Sequence, residues 1–351
     1  MKPTIETFRT VIPLFKFPFA VSHSHRLLCI GSCFAERIGE MLAERKFNIL
    51  INPSGILFNP LSVAECLNLL TKETEIGEER LFFHEGCWHS FDFHSRFSNP
   101  DKVVCLQQMR DALREGREFL RKTDFLLLTL GSNVVYRLKQ DGRVAANCHK
   151  MPAQSFDRQM LSVDEAAAGL EQALQRVKAI RPDLRCILTV SPVRYLGNDF
   201  SENSLSKASL RLVCQRLTEH VGGTFYFPAY EIMTDDLRDY RFYATDRIHP
   251  SDEAVAYIWQ CFSSVAFSEE TIALNRRIEA LTAAMRHRPA FPQSEAFLYF
   301  RQHWQEELAH LRTEYPMLDF TAEERHFLNR VLEDNKLIPQ EIIPYTILSE
   351  R

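Results

Sequence analysis

The sequence predicts an α/β protein in which a mainly parallel sheet lies between two layers of helices, a three-layer α/β/α arrangement, with a helical extension at the C-terminus. Three observations predict it. Short apolar runs alternate with amphipathic helical stretches over residues 1–267, the pattern of repeated strand–helix units. The strongest of those runs are apolar throughout, as strands buried on both faces are. Over residues 268–351 the strand signal stops and apolar residues recur at helix spacing.

The elements follow in order. Arg26 to Ile30 is a buried strand, and Phe34, Ile38, Met41 and Leu42 then share one face of a helix. Asn48 to Ile51 is a second strand. A helix follows Asn59, with Pro60 as a good first residue. Residues 78–100, rich in aromatics, His and Ser, form an irregular excursion with short strands, and 101–122 form a long helix charged on one side. Phe125 to Leu130 is a strongly apolar strand bounded by Gly131. Val134 to Leu138 and Arg143 to Ala146 flank Asp141-Gly142, a hairpin signal. Helices are expected at 162–181 and 203–219, on either side of a strand from Cys186 to Val190. Thr224 to Phe227 is the last strand, and a helix over 251–266 places Pro250 at its first turn. In the extension, Leu274, Ile278, Leu281 and Met285 pair with Phe297, Phe300, Trp304, Leu308 and Leu311 as two antiparallel helices joined around 287–292. These helices pack on the main domain or mediate a homo-oligomer. The last fifteen residues, with Pro339 and Pro344, read as extended.

Composition narrows the function classes. The 351 residues carry 42 Lys and Arg against 46 Asp and Glu, a net charge of -4. Electrostatic capture of nucleic acid or an anionic membrane is not expected from that balance. The N-terminal segment is interrupted by Pro13, Lys16 and Pro18 and does not read as a secretory signal. No stretch reaches the roughly 20 apolar residues of a membrane span. The nine cysteines are scattered without a CxxC pair, which favours reduced thiols and a cytoplasmic setting. There is no Walker loop and no G-x-G-x-x-G after a strand, so no cofactor is expected.

Functional groups of an open parallel sheet gather at the carboxyl ends of its strands. Ser32 lies there, after a strand and a glycine and at the start of a helix. A serine in that position also serves as a helix cap, and position alone leaves both roles open. Asp246 and His249 add a second signal. Three apart on one tight turn, they place a carboxylate against an imidazole, and the imidazole then needs only to face the serine.

Gly31-Ser32-Cys33-Phe34-Ala35 is similar to the signature of the GSCFA family, a branch of the SGNH/GDSL hydrolase superfamily. Further segments resemble the family in order along the chain: Asn52 to Pro60, Ser90 to Ser95, Asn147 to Lys150, Ser191 to Arg194, Leu237 to Tyr243, and Asp246 to Ser251. The tail, with His287-Arg288-Pro289, resembles members too. The resemblance implies an SGNH-like α/β/α fold and ester hydrolysis or acyl transfer. It makes Ser32 the nucleophile, His249 its general base and Asp246 the residue that orients His249. It implies an oxyanion hole of the Ser32 N–H, the Gly55 N–H and an asparagine amide. Asn133, in Gly131-Ser132-Asn133, matches the superfamily's third block, although Val134 stands where Asp is common. Asn147 competes for the role.

Other residues admit two readings each. Cys33 is a rival nucleophile, but one residue into the helix it points about 100° away from Ser32, and packing is the commoner fate of a free cysteine. His84, Cys87, His89 and His94 cluster without metal-ligand spacing, so no metal is expected. Trp88, His89 and His94 are candidates to line a substrate pocket or to pack structurally. His149 is a candidate to bind an anionic or sugar substrate or to satisfy backbone groups, and Arg194, just past a strand end, is a candidate to face the pocket. The expected substrate is a small or carbohydrate-linked acyl ester. An acyltransferase to a sugar-like acceptor and a non-catalytic binding or scaffold protein are the alternatives.

Overall fold

A computed structural model of the chain describes residues 11–196 and 199–327. The expected extended tail around Pro339 and Pro344 lies outside the described residues. The chain divides into two compact units, Met1–Thr271 and Ile272–Arg351.

The first unit begins its sheet with β1 (Arg26–Gly31), followed by α1 (Cys33–Glu44), β2 (Asn48–Ile51) and α2 (Pro60–Thr71). Asn59 caps α2 by accepting from Ser62 N at 2.8 Å, and Pro60 occupies the first turn. The aromatic excursion forms a hairpin, β3 (Leu81–His84) and β4 (Cys87–Ser90), and leads into α3 (Lys102–Leu120). Next comes β5 (Phe125–Leu130), buried at every position. The hairpin expected at Asp141-Gly142 is present as β6 (Val134–Leu138) and β7 (Val144–Ala145). A third strand, β8 (Phe156–Met160), pairs antiparallel with β6 and was not anticipated. The chain then runs through α4 (Val163–Ile180), β9 (Arg185–Val190), α5 (Phe200–His220), β10 (Thr224–Tyr226), a single turn α6 (Ala229–Glu231), and α7 (Asp252–Ala266).

The central sheet has the order β10-β9-β5-β1-β2, and every pair is parallel. On one face, Leu28, Ile30, Leu126, Leu128, Leu188 and Val190 form a single core with buried residues of α2, α3, α4 and α5. On the other, Cys29, Leu127, Thr129 and Ile187 line a small apolar cavity with Phe34 and Ile38 of α1 and Phe262 of α7. The result is the expected three-layer α/β/α fold.

Two further details differ from expectation. α5 starts at Phe200, three residues earlier than its apolar stripe suggests, because Asp199 accepts from Glu202 N at 2.6 Å and caps it. α7 starts at Asp252 with Ser251 as its cap, so Pro250 lies before the helix and bridges to Tyr243 instead.

α8 (Glu269–Arg286) runs from the end of the first unit into the second, where it and α9 (Glu295–Glu314) bury Leu274, Ile278 and Leu281 with Leu308, Leu311, Phe320 and Phe327. Arg277 joins the helices by ion pairs to Glu307 at 2.8 Å and Glu314 at 2.6 Å. Among the described residues, no helix is long and apolar enough to cross a membrane.

Candidate active site

The strand order creates one topological switch point. From β1 the chain moves outward to β2 and then returns to β1's other side as β5. The carboxyl ends of β1 and β5 therefore lead into loops on opposite sides, the position at which open parallel sheets bind their ligands. Ser32 follows β1 and Gly131-Ser132-Asn133 follow β5. The two ends are in close contact: a Cβ placed on Gly131 would lie 3.3 Å from Ser32 Cβ. Gly31 makes the approach feasible. Its φ is +147°, and a Cβ there would fall 2.2 Å from Thr129 O.

Ser32 occupies the N-cap position of α1, yet its side chain makes no capping bond. Asn59, Asp101, Ser162, Asp199, Ser251 and Ser294 all accept from the first turn of their helices. Ser32 Oγ is instead buried and has no hydrogen-bond partner among the described residues. The capping role is thus unused, and a buried hydroxyl left unpaired calls for another explanation. Cys33 is a poor rival, because burial pushes its thiol up and disfavours the thiolate.

Asp246 and His249 form the expected pair. His249 Nδ1 donates to Asp246 Oδ2 at 2.7 Å, while Asp246 Oδ1 accepts from the backbone N–H of Ile248 at 2.9 Å and of His249 at 3.0 Å. These hydrogen bonds, that from the imidazole foremost, hold the Asp246 carboxyl at about 2. An ionised carboxylate can only accept, so Nδ1 carries a proton toward it and Nε2 is the nitrogen left to exchange a proton with another group. The loop is closed by Ala244 N to His249 O at 2.8 Å and Ser251 N to Phe242 O at 2.7 Å. It is tied to the sheet through Arg194 N to Ile248 O at 3.1 Å. On the outside, Arg37 of α1 pairs with Asp252, three residues past His249, at 3.1 Å. No hydrogen bond joins His249 to Ser32 in this arrangement, and the imidazole is about half exposed (49%).

Three of the four expected oxyanion donors are engaged elsewhere. Ser32 N–H donates to Thr129 O at 3.2 Å and Gly55 N–H to Asn52 O at 2.7 Å. Asn133 is fully buried and gives its amide to Leu161 O at 2.8 Å. Asn147 accepts from His149 N at 2.8 Å, and its amide nitrogen makes no hydrogen bond among the described residues.

A polar stripe on α5 organises the strand ends and escapes sequence reading. Asn203 accepts from Tyr195 N at 2.9 Å, and Ser206 accepts from Asn133 N at 2.7 Å. Lys207 donates to Gly131 O at 2.6 Å and Ser191 O at 2.8 Å. All three are buried, and their spacing continues the apolar stripe of Leu210, Val213, Cys214 and Leu217. That continuation was the available signal. Burial lowers the Lys207 ammonium to about 7, partly offset by the nearby Cys33 thiol on α1.

The remaining candidates are mostly structural. His89 Nε2 donates to His84 O at 3.0 Å, and its Nδ1 shares a hydrogen bond with Ser98 Oγ at 2.7 Å. His149 does the same with Ser90 O at 2.8 Å and Ser95 Oγ at 3.4 Å, and burial pushes it down to about 4, so it is uncharged. Trp88 packs on the core and carries the Lys102 ammonium 4.8 Å from its ring. His94 lies against the Gly55 turn, whose φ is +83°: a Cβ on Gly55 would fall 2.2 Å from His94 Cβ. Arg194 stacks 3.9 Å over Tyr243 and donates to Arg247 O at 3.1 Å, which braces the Asp246–His249 loop. Among the described residues, no group of His, Cys, Asp or Glu is arranged to hold a metal.

Comparison with known proteins places the chain in a family. The GSCFA family matches residues 26–262, which include Ser32, Asp246 and His249. The C-terminal domain of GSCFA domain proteins matches residues 278–333. No curated protein matches the chain. With one family covering more than half of its length, the chain belongs to the GSCFA family.

Proposed function

We propose that the protein is a serine hydrolase of the SGNH type that cleaves a small or carbohydrate-linked acyl ester. The observation that carries this is the Asp246–His249 pair at the same sheet edge as a serine whose hydroxyl is buried, unpartnered and unused as a cap. The five-stranded parallel order and the switch-point location support the superfamily assignment. In the first step Ser32 Oγ attacks the ester carbonyl carbon as its proton passes to His249 Nε2. The protonated His249, held by the Asp246 carboxylate, then gives that proton to the leaving alcohol, and an acyl-serine remains. Water, activated by His249, attacks the acyl carbon and frees Ser32. The first step requires Ser32 to turn about χ1, or the 243–250 loop to move, since the two side chains are not bonded in the structure.

That separation favours a second reading, a binding protein that keeps the fold without the chemistry. Hydrolysis of p-nitrophenyl acetate by the wild type and Ser32→Ala separates the two. The hydrolase reading expects turnover that falls to background in S32A; equal activity of both proteins, or none in either, contradicts it. Repeating the assay with a sugar acceptor distinguishes hydrolysis from acyl transfer to an alcohol.

A further inference from the structure

Asn52 is tied to the segment that carries Ser32 by several hydrogen bonds. It follows β2 with φ of 47°, in the left-handed region that Asn tolerates better than most residues. Its N–H donates to Cys29 O at 2.8 Å. Its carbonyl accepts from Gly55 N at 2.7 Å and from the Arg96 guanidinium, which also pairs with Glu36 of α1 at 3.4 Å. Its side-chain oxygen accepts from Gly31 N at 2.9 Å. Every polar atom of the residue is thus engaged except one. Asn52 Nδ2 is buried and has no hydrogen-bond partner among the described residues.

The bond to Gly31 N fixes where that nitrogen lies. It shares a planar amide with the bonded oxygen, so it sits within about 5 Å of the Gly31 nitrogen, little more than one residue's spacing along the chain. Ser32 is the next residue, and its Oγ is also buried and unpartnered. Two orphaned polar groups on adjoining segments, one a donor and one a nucleophile, are costly to the free protein unless a bound group satisfies them. A rigid, desolvated donor on the segment next to the nucleophile is suited to stabilise a developing oxyanion.

We infer that Asn52 supplies the side-chain amide of the oxyanion hole, the role assigned by family resemblance to Asn133 or Asn147. The inference rests on the hydrolase reading above. As the Ser32 Oγ–carbon bond forms, the carbonyl π pair moves to oxygen, and that oxygen accepts from Asn52 Nδ2. The amide of Asn133, already given to Leu161 O, stays a structural bond that holds the loop after β5.

Asn52→Asp keeps an oxygen for Gly31 N and removes the donor. The expected result is a kcat for p-nitrophenyl acetate lower by roughly 100-fold or more, with KM changed little. A folded N52D protein with kcat within threefold of wild type overturns the inference. If N52D does not fold, the wild type decides: in a crystal structure of its Ser32 phosphonate adduct, Asn52 Nδ2 is expected about 3 Å from the phosphonyl oxygen. An adduct whose oxygen is held by Asn133 or Asn147, and not by Asn52, overturns it. Absence of both esterase activity and adduct in the wild type removes the hydrolase reading and the inference with it, whereas an active wild type indifferent to N52D removes the inference alone.

Discussion

Replacing Lys207 with Met should cost more stability in alkaline buffer than at neutral pH. Lys207 is 1% exposed and its Nζ reaches two carbonyls, Gly131 O and Ser191 O. Two acceptors match the two N–H groups of a neutral amine, whereas an ammonium leaves one N–H unbonded in the core. The folded-state value is lowered from 10.5 to about 7, first by burial, with the Cys33 thiol acting in the opposite direction. Tyr230 is the other polar group facing it, its ring centre 5.9 Å from Nζ. Between pH 7 and 10.5 the unfolded chain therefore binds more protons at this site than the folded chain, and stability rises with pH. Below the window the full penalty is present, about 5 kcal/mol; from pH 7 to pH 9 about 2 kcal/mol of it is relieved. Lys207→Met deletes the titrating group together with both hydrogen bonds. Its cost, measured as the difference in urea unfolding free energy from wild type, should therefore grow by about 2 kcal/mol between pH 7 and pH 9. The paired comparison cancels other titrations common to both proteins. A cost that is the same at both pH values refutes the reasoning.

Asp246→Asn should keep the fold and lower kcat by about 1000-fold or more, because an amide no longer requires the proton to sit on His249 Nδ1; a loss under tenfold would contradict the orienting role. Gly55→Ala should destabilise the chain by about 2–4 kcal/mol in thermal or denaturant unfolding, since the new Cβ meets His94 Cβ at 2.2 Å on a backbone with φ of +83°. An unchanged unfolding midpoint would show that the His94 turn yields easily.

The sheet was legible where apolar runs left no alternative. Phe125 to Leu130 and Cys186 to Val190 are buried at every position, and such runs bounded by Gly131 and Ser191 read directly as central strands. Phe156–Met160 was missed because Asp157, Arg158 and Gln159 occupy its middle. It pairs with β6 alone, on the outside of a small sheet, where polar side chains face water. The turn of helix at Ala229–Glu231, and the irregular helical turn that follows it, carry too few residues to show a period.

The candidate site divides along the same line. Ser32, Asp246 and His249 depend on local spacing, a strand-to-helix turn and a three-residue loop, so one sequence displays them. The donors depend on which carbonyl each amide meets across the fold. Asn133 matches the donor block in sequence and is spent on Leu161 O, whereas Asn52, which sequence marks only as the start of a family-like segment, keeps its amide unpaired. Lys207 and Ser206 are polar residues within a helix expected from sequence, and both are buried against the strand ends. Their position on the stripe of Leu210 and Val213 was visible; that the core becomes polar at this edge was not.

The central claim is that Ser32 is a nucleophile activated by His249. Treating the wild type with a fluorophosphonate and mapping the product by mass spectrometry tests it most directly. A single adduct on the peptide carrying Ser32, absent in Ser32→Ala and formed more slowly in His249→Ala, is the predicted result. No adduct on folded protein, or one carried by Cys33 or another residue with Ser32 unmodified, would contradict it.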